Sequence, residues 1–344
     1  MIPVGCPADL GTGAAIWETA GMTTVPATRL MRKRRRERLP VTSASVALFR
    51  LGELCNNACP MCSNSGRPEA FRIDDADLLR RVDHLAALGF RRVVVTGGEP
   101  TIHPAFWDVV KRLGERSIAW DINTHGRSFS DPAFAERALD AGLERAIVSL
   151  HSHLPAISAE ISGNSEHGHL QTVTGIDHLV AGGCEMMLNA VVCKLNVADL
   201  VAYVGYCGDR FGSETQLKIV FPYTGGKGGD WHAIALRYSD VMPQVEAARA
   251  EARRRGITML FESFPNCILR DGEATNLSRS GFGETHYLED IHGVDVFPIR
   301  HIEAALAVYP PACRDCAALK RCGGISEDYA RRYGVEEFVP IAID

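Results

Sequence analysis

Residues 55–62 read Cys55-Asn56-Asn57-Ala58-Cys59-Pro60-Met61-Cys62, which places three thiols within eight residues. The stretch directly follows Ser45–Leu51, a run that is typical of a β-strand. Three thiolates so close together suit a metal site, and a cubane iron–sulfur cluster takes one thiolate per iron, normally four. If no distant residue completes the set, one iron keeps a position at which a molecule other than the protein can bind.

Three close cysteines alone are also compatible with zinc ligands or with inert thiols, so the sequence around them decides. A strand precedes them, an amphipathic helix follows over Asp75–Leu88, and a buried strand at Val93–Val95 leads into Gly97-Gly98-Glu99-Pro100. Glycines in such a turn let the backbone approach a ligand closely, and backbone carbonyls or Glu99 can accept hydrogen bonds from an ammonium group. The sequence around the cysteines therefore fits a metal centre beside a ligand site.

Strand and helix signals alternate from residue 45 to residue 223, which predicts a parallel sheet with covering helices. The predicted strands are Ser45–Leu51, Arg91–Thr96, Ser117–Thr124, Arg145–Leu150, Cys184–Cys193 and Gln216–Phe221. A polar loop is expected after the fourth strand, before a helix marked by Leu170, Val173 and Ile176. Ligands bind where parallel strands end, so we expect the site at the carboxyl ends of the strands.

The spacing of Cys55, Cys59 and Cys62 resembles the cluster loop of the radical S-adenosylmethionine (SAM) superfamily, and Gly97-Gly98-Glu99-Pro100 is similar to its GGEP motif. The resemblance implies an α/β fold, a partial (β/α)6 barrel, and a [4Fe-4S] cluster whose open iron is chelated by SAM. One electron then cleaves SAM to methionine and a 5′-deoxyadenosyl radical. Met61 departs from the family pattern, which places an aromatic residue near the adenine, although a thioether also packs on a flat ring.

Polar residues at the predicted strand ends are candidates for the cofactor and substrate sites. The resemblance implies SAM contacts at Asn123, Ser149 and Asn189, although each is as compatible with a helix cap or a turn. His151 follows the fourth strand and could face the substrate, where a histidine donates, accepts or shuttles protons. Cys193 ends the fifth strand and could return a hydrogen atom to a substrate radical, as in radical epimerases, although buried cysteines are more often small hydrophobes.

A second cysteine set lies near the C-terminus, at Cys313, Cys316 and Cys322, with Cys267 upstream. Four cysteines could hold a second iron–sulfur cluster or a structural zinc, and spacing alone does not choose. The segment resembles part of the SPASM or shorter twitch domains that follow many radical SAM barrels, which implies one auxiliary [4Fe-4S] cluster. If Cys267 is a ligand, the cluster is fully ligated and serves electron transfer; if not, an open iron could bind substrate.

The composition limits which partners and which cellular compartment we expect. The 344 residues are 46% hydrophobic and 23% charged with a net charge of -5, which disfavours nucleic acid as the main partner. The eleven cysteines fall into groups, and neither a secretory signal nor a membrane-spanning run is present, so we expect a cytoplasmic protein. We divide it into a lead-in at 1–44 with a basic stretch at Arg32–Arg36, a barrel at 45–223, and a C-terminal region at 224–344 with a small auxiliary-cluster subdomain.

The prediction is a radical SAM enzyme of the oxidoreductase or epimerase type. Its expected substrate is a small polar metabolite such as a sugar, an aminocyclitol or a nucleoside, because no leader-peptide-binding domain is apparent. Such domains can be separate chains, so a maturase of a ribosomally synthesised precursor peptide is the alternative. Flavodoxin or ferredoxin is the expected electron donor. A non-enzymatic iron–sulfur or zinc protein is the alternative of another class, and it predicts no affinity for SAM.

Overall fold

The computed structural model describes residues 41–42, 45–62, 73–222, 234–270, 274–275, 285–289, 296–299, 307–319 and 322–342. Residues 1–40 of the predicted lead-in, including its basic stretch, lie outside the described residues. Every residue that the sequence assigns to a site lies within them.

A mainly parallel sheet carries the fold. Strands β1–β7 lie side by side in chain order, and each is parallel to its neighbours. Their bounds are Ser45–Arg50 (β1), Arg92–Thr96 (β2), Ala119–Thr124 (β3), Leu143–Ser149 (β4), Glu185–Val191 (β5), Gln216–Val220 (β6) and Met259–Glu262 (β7). The sheet curls into an open half-barrel covered by helices, which confirms the predicted α/β fold class.

The sheet continues beyond the six predicted strands of the barrel. The strand β7 lies where the sequence also predicts a last strand, at Ile257–Phe261. At one edge, β8 at Ala274–Thr275 pairs in parallel with β7. At the other edge, β9 at Thr285–Glu289 pairs in parallel with β1, and β10 at Val296–Pro298 pairs antiparallel with β9. Segments after residue 223 therefore extend the barrel sheet at both edges.

Helices connect the strands. Their bounds are Asp75–Leu88 (α1), Phe106–Glu115 (α2), Pro132–Asp140 (α3), Pro155–Ser162 (α4), Glu166–Ala181 (α5), Leu200–Phe211 (α6), Tyr238–Arg255 (α7), Asn266–Leu269 (α8) and Glu327–Tyr333 (α9). The helix α1 begins where the Asp74 carboxylate accepts a hydrogen bond from the Ala76 backbone, and it ends at Gly89, whose φ is +94°. These local signals explain why its bounds agree with the sequence prediction.

The helix α4 lies where the sequence predicts a polar loop, so that prediction is wrong for residues 155–162. Pro155 favours the first turn of a helix because its φ is already fixed near the helical value. Ile161 is fully buried and packs with Cys193 and Ile234, next to Ile157. The large apolar side chains of this eight-residue helix are Ile157 and Ile161, which is too short a pattern for helical periodicity to be recognised in the sequence.

The two faces of the sheet carry different side chains. One face packs against the helices through apolar residues that include Phe49, Val95, Ile122, Val148 and Leu188. Successive side chains along a strand alternate between the faces, so the opposite face carries Thr96, Asn123, Ser149 and Asn189. Ser149 and Asn189 are direct partners in the register of β4 and β5. The alternation therefore gathers polar strand-end residues on the inner face.

Candidate active site

A cavity of about 190 Å³ lies at the carboxyl ends of the first strands. It is lined by residues from four parts of the chain: the cysteine loop, the Gly97–Gly98 turn, the strand ends, and the segment that runs from α4 into α5. The sequence-predicted residues in its lining are Cys55, Cys59, Cys62, Gly97, Gly98, Asn123, Ser149 and His151. The fold thus brings together thiols and polar groups that are up to about 100 residues apart in the chain.

The three thiols of the loop are crowded and partly buried. Burial raises the pKa of Cys55, although the Asn57 backbone N–H donates to its Sγ at 3.4 Å. Burial, followed by the charges of Cys62 and Cys55, raises the pKa of Cys59 to about 12. Such thiols resist ionisation until a positive centre offsets their charge, as a metal does. The donor set therefore fits the thiolate ligands of a metal cluster.

One side of the cysteine loop is held at Asn56 by residues that follow β3. The Nε2 of His125 lies 2.7 Å from Oδ1 of Asn56, and Arg127 donates from Nη2 to the Asn56 carbonyl at 3.0 Å. The backbone N–H of Arg127 donates to Nδ1 of His125 at 3.2 Å, and Nη2 of Arg127 lies 3.4 Å from Nε2. Burial lowers the pKa of His125, which favours the neutral ring, although the charge of Glu99 acts in the opposite direction.

The other side of the loop is held by the end of α4. The Asn164 side chain donates to Oδ1 of Asn57 at 2.7 Å, and the Ala58 backbone N–H donates to the Ser162 carbonyl at 3.1 Å. Gly163 adopts a left-handed conformation with φ +57°, and a Cβ atom built on it would lie 2.6 Å from the carbonyl carbon of Ala58. Only glycine permits this approach, so α4 and the loop fit together at Gly163.

The Gly97–Gly98 turn packs against the backbone that leads into the cysteine loop. Gly98 donates to the Gly52 carbonyl at 3.0 Å, and Glu99 donates from its backbone to the Leu54 carbonyl at 2.7 Å. A Cβ atom on Gly98 would lie 2.6 Å from the carbonyl carbon of Leu54. The glycines therefore serve a close approach within the protein, in addition to lining the cavity.

The carboxylate of Glu99 binds the end of β3. Glu99 is 2% exposed and accepts hydrogen bonds from the backbone and the hydroxyl of Thr101, from the Thr124 hydroxyl at 2.8 Å, and from the His125 backbone at 2.8 Å. Pro100 begins the short 3₁₀ turn that follows. The sequence offers two acceptors for an ammonium group, the Glu99 carboxylate and the backbone carbonyls of the turn. Because the protein already binds the carboxylate, the carbonyls are the better candidates for that contact.

Three further predicted residues are not part of the cavity lining. Cys193 is fully buried among apolar side chains of the cluster that includes Ile161, and Met61 packs at the edge of the same cluster. Asn189 has a buried Oδ1 without a hydrogen-bond partner among the described residues. The adenine contact of Met61, the SAM contact of Asn189 and the hydrogen-donor role of Cys193 stay predictions.

The structure adds cavity residues that the sequence prediction does not include. Arg127 and His169 both line the cavity, and each has a buried nitrogen, Nε and Nδ1 respectively, that lacks a partner among the described residues. Asn164 and Ser165 line it from the start of α5. Unpartnered polar atoms in a cavity lining fit a bound molecule that supplies hydrogen-bond partners. Arg127 follows β3 by three residues. It would have been identified if the candidates had included polar residues up to three positions past each strand end.

The second cysteine set is also assembled in space. Cys267 lies on α8, just after β7, and burial, followed by the charges of Cys322, Cys313 and Cys316, raises its pKa to about 11. Backbone N–H groups donate to two of these sulfur atoms at 3.4 Å, from Gly324 to Cys322 and from residue 341 to Cys316. The four thiols are therefore neighbours, as the sequence expects for one shared site.

An aromatic cluster fixes this region to the end of β6. Phe221 directly follows β6 and stacks on Tyr238 with ring centroids 3.8 Å apart. The Tyr238 backbone N–H donates at 2.9 Å to the hydroxyl of Tyr329, which in turn donates to Glu337. Because Tyr329 belongs to α9, the residues after Cys322 are anchored to the barrel.

Two features are absent from the described part of the chain. No helix in those residues is long and apolar enough to cross a membrane. No group of three or more Cys, His, Asp or Glu side chains there is arranged to hold a single metal ion.

Residues 49–204 match the family model of the radical SAM superfamily. The matched region contains both motifs, which agrees with the resemblance that the motifs carry. A GTP 3′,8-cyclase from Edwardsiella ictaluri is 34% identical over 167 residues, which cover 46% of this chain and 50% of the cyclase. PqqA peptide cyclase from Ruegeria pomeroyi is 26% identical over 238 residues, which cover 66% of this chain and 60% of that protein. The chain thus spans about half of the length of the curated relatives that it matches.

Solved structures share the fold at low sequence identity. Streptococcus suis SuiB bound to S-adenosylmethionine has a TM-score of 0.62 and 14% identity, covering 91% of this chain and 80% of SuiB. SuiB bound to precursor peptide SuiA has a TM-score of 0.57 and 14% identity, covering 86% of this chain and 66% of SuiB. These likenesses extend the agreement in fold beyond residues 49–204.

Proposed function

We propose that this protein is a radical SAM enzyme in which Cys55, Cys59 and Cys62 hold a [4Fe-4S] cluster with one iron left for SAM. The observation that carries the proposal is that three thiols of one short loop line the same cavity as the Gly97–Gly98 turn. When bound, the cluster and SAM supply an electron and a 5′-deoxyadenosyl radical that abstracts a hydrogen atom from the substrate. The protein's own residues bind the reactants, orient them and exclude water.

The cavity offers distinct groups to the parts of SAM. The backbone carbonyls of Gly97–Gly98 would accept hydrogen bonds from its amino group, because the Glu99 carboxylate is already engaged. Asn123 and Ser149 supply hydrogen-bonding groups for the ribose hydroxyls or the carboxylate. Arg127 brings a positive charge beside Cys55 and Cys59, which favours anionic groups in the cavity.

We also propose one auxiliary [4Fe-4S] cluster, held by Cys267, Cys313, Cys316 and Cys322. The support is that these thiols are close enough for their charges to act on one another, and that backbone N–H groups donate to two of their sulfur atoms. Four thiols match four irons, which leaves no open iron. A fully ligated cluster suits the acceptance of an electron from a substrate radical, giving oxidation or bond formation.

The proposed substrate is a small polar metabolite of the sugar, aminocyclitol or nucleoside type. The support is the similarity to GTP 3′,8-cyclases. Epimerisation has less support, because Cys193 is enclosed by apolar side chains. A cytoplasmic location and an electron supply from flavodoxin or ferredoxin stay predictions from the sequence.

Maturation of a ribosomally synthesised peptide is the second candidate. Its support is the similarity to PqqA peptide cyclase and the shared fold with SuiB, which has been solved with precursor peptide SuiA. A short precursor gene beside the gene for this chain would favour the peptide, and sugar-modifying genes would favour the metabolite. Incubation with the encoded peptide, followed by mass spectrometry, then decides between them.

The enzyme assignment is tested by anaerobic reconstitution of the full chain and incubation with SAM and dithionite. We expect about eight irons per chain and formation of 5′-deoxyadenosine. Cys59→Ala should abolish that product while keeping the iron of the second set. If the reconstituted wild-type chain forms no 5′-deoxyadenosine, the enzyme assignment is wrong. Zinc at the second set would overturn the auxiliary cluster only.

A further inference from the structure

We propose that Arg127 raises the reduction potential of the cluster at Cys55, Cys59 and Cys62, because it holds a fixed positive charge against the cysteine loop. Arg127 lies three residues past β3, at the start of a short 3₁₀ turn over Arg127–Ser130, and it lines the same cavity as the three thiols. The presence of the cluster rests on the proposed function, whereas the place of the charge follows from contacts within the protein.

The backbone around Arg127 is held from two sides. Gly126 precedes it with a φ of +82°, a conformation that glycine adopts without strain. The Thr172 hydroxyl on α5 donates to the His125 carbonyl at 2.8 Å, and Phe129 of the 3₁₀ turn is fully buried. The side chain of Arg127 therefore extends from a fixed point of the fold.

The guanidinium of Arg127 contacts the cysteine loop directly. Its Nη2 donates at 3.0 Å to the carbonyl of Asn56, the residue that follows Cys55. Burial lowers the pKa of the guanidinium, whereas the charges of Cys55, Glu99 and Cys59 raise it. A guanidinium stays protonated over the physiological range, so this side of the loop carries a permanent positive charge.

A positive charge at this place favours the reduced cluster. Reduction adds one electron, so the reduced cluster is one unit more negative than the oxidised cluster and is attracted more strongly by the guanidinium. Net charge is one of the factors that set the reduction potential of iron–sulfur clusters. The Glu99 carboxylate acts in the opposite direction, but it is present in the wild type and in every variant of Arg127, so a comparison between them reports Arg127 alone.

Four variants separate the charge from other roles of the side chain. Arg127→Gln removes the charge and keeps an N–H donor, and Arg127→Met, also uncharged, takes its place if the Gln variant does not fold. Arg127→Lys keeps the charge on a side chain of different shape. Arg137→Gln is the matched control, because Arg137 lies on the exposed surface of α3, over the ring of Trp107.

The reduction potential is measured without SAM, so it does not depend on activity. The reconstituted full chain is titrated with dithionite, and the electron paramagnetic resonance signal that is absent in Cys59→Ala is followed. At a given potential, the ratio of reduced to oxidised cluster should be about tenfold lower in Arg127→Gln than in the wild type, which lowers the midpoint by about 59 mV for a one-electron couple. Arg127→Lys should stay within about threefold of the wild type, and Arg137→Gln should equal it.

Equal midpoints in the wild type and the uncharged variants would overturn the proposal while leaving the enzyme assignment intact. A shift in Arg127→Lys as large as that in Arg127→Gln would also overturn it, because the charge would then not be the cause. A wild-type chain without a cluster signal that depends on Cys59 would instead overturn the proposed function.

Discussion

Replacing Gly163 by alanine tests whether the end of α4 holds the cysteine loop in place. Gly163 has a φ of +57°, and an added Cβ would lie 2.6 Å from the carbonyl carbon of Ala58. Ala58 precedes Cys59, so a backbone shift that relieves the contact displaces a proposed cluster ligand. The substitution should therefore lower both the stability of the fold and the iron content of the first cysteine set.

The magnitude follows from a matched glycine in the same chain. Gly256 ends α7 in the same left-handed conformation, with φ +70°, and an added Cβ would meet no atom within 4 Å. Alanine in this conformation costs about 1 kcal/mol relative to glycine at either position. The backbone contact at Gly163 adds about 1–3 kcal/mol, which is typical of overpacking. We expect a loss in free energy of unfolding of about 2–4 kcal/mol for Gly163→Ala and about 1 kcal/mol for Gly256→Ala.

Urea unfolding followed by circular dichroism measures the loss of stability. Iron analysis after anaerobic reconstitution measures the loss of iron from the first cysteine set. We expect Gly163→Ala to bind up to about four fewer irons per chain, because only the first set is disturbed. Gly256→Ala should keep the iron content of the wild type. Equal losses of stability and equal iron contents in the two variants would refute the role of α4 in holding the loop.

The remaining predictions concern single groups. Thr124→Val removes a hydroxyl that donates to the buried Glu99 carboxylate, so urea unfolding should show a loss of about 2 kcal/mol; an unchanged midpoint would contradict that contact. Cys267→Ser should lower the iron content of the second set and leave 5′-deoxyadenosine formation intact, and unchanged iron would exclude Cys267 as a ligand. With a folded pKa of about 4 for His151, the unfolded chain binds the proton first as the pH falls below 6.5. Protonation of His151 in the unfolded chain should therefore lower the free energy of unfolding by about 2 kcal/mol between pH 7 and pH 5. The His151→Gln variant should lack this part of the pH dependence. If both proteins lose the same stability over this range, the buried neutral state of His151 is contradicted.

Much of the barrel could be predicted because its signals are local. Buried strands such as Val93–Val95 form short apolar runs, and Asp74 and Gly89 mark both ends of α1. The cysteine loop is equally local, since its three thiols lie within eight residues. Strand ends gather at one edge of a parallel sheet, so Asn123, Ser149 and His151 could be placed near the loop from the order of the elements alone.

The supports of the site could not be predicted because they join distant residues. Asn56 bonds His125, which lies 69 positions away, and Asn57 bonds Asn164 at a separation of 107. The pairing of β9 with β1 also joins opposite parts of the chain, and no motif announces it. Glu99 looks like a ligand in its motif, yet its carboxylate is bound by Thr124 because two neighbouring strands end together. Such roles depend on packing, which the sequence pattern does not encode locally.

Whether Cys55, Cys59 and Cys62 hold a cluster that binds SAM is tested most directly by electron paramagnetic resonance of the dithionite-reduced, reconstituted full chain. We expect the wild type to give a signal that changes when SAM is added. This signal should be absent in Cys59→Ala. A wild-type chain that contains iron at the first set but gives a spectrum indifferent to SAM would contradict the assignment.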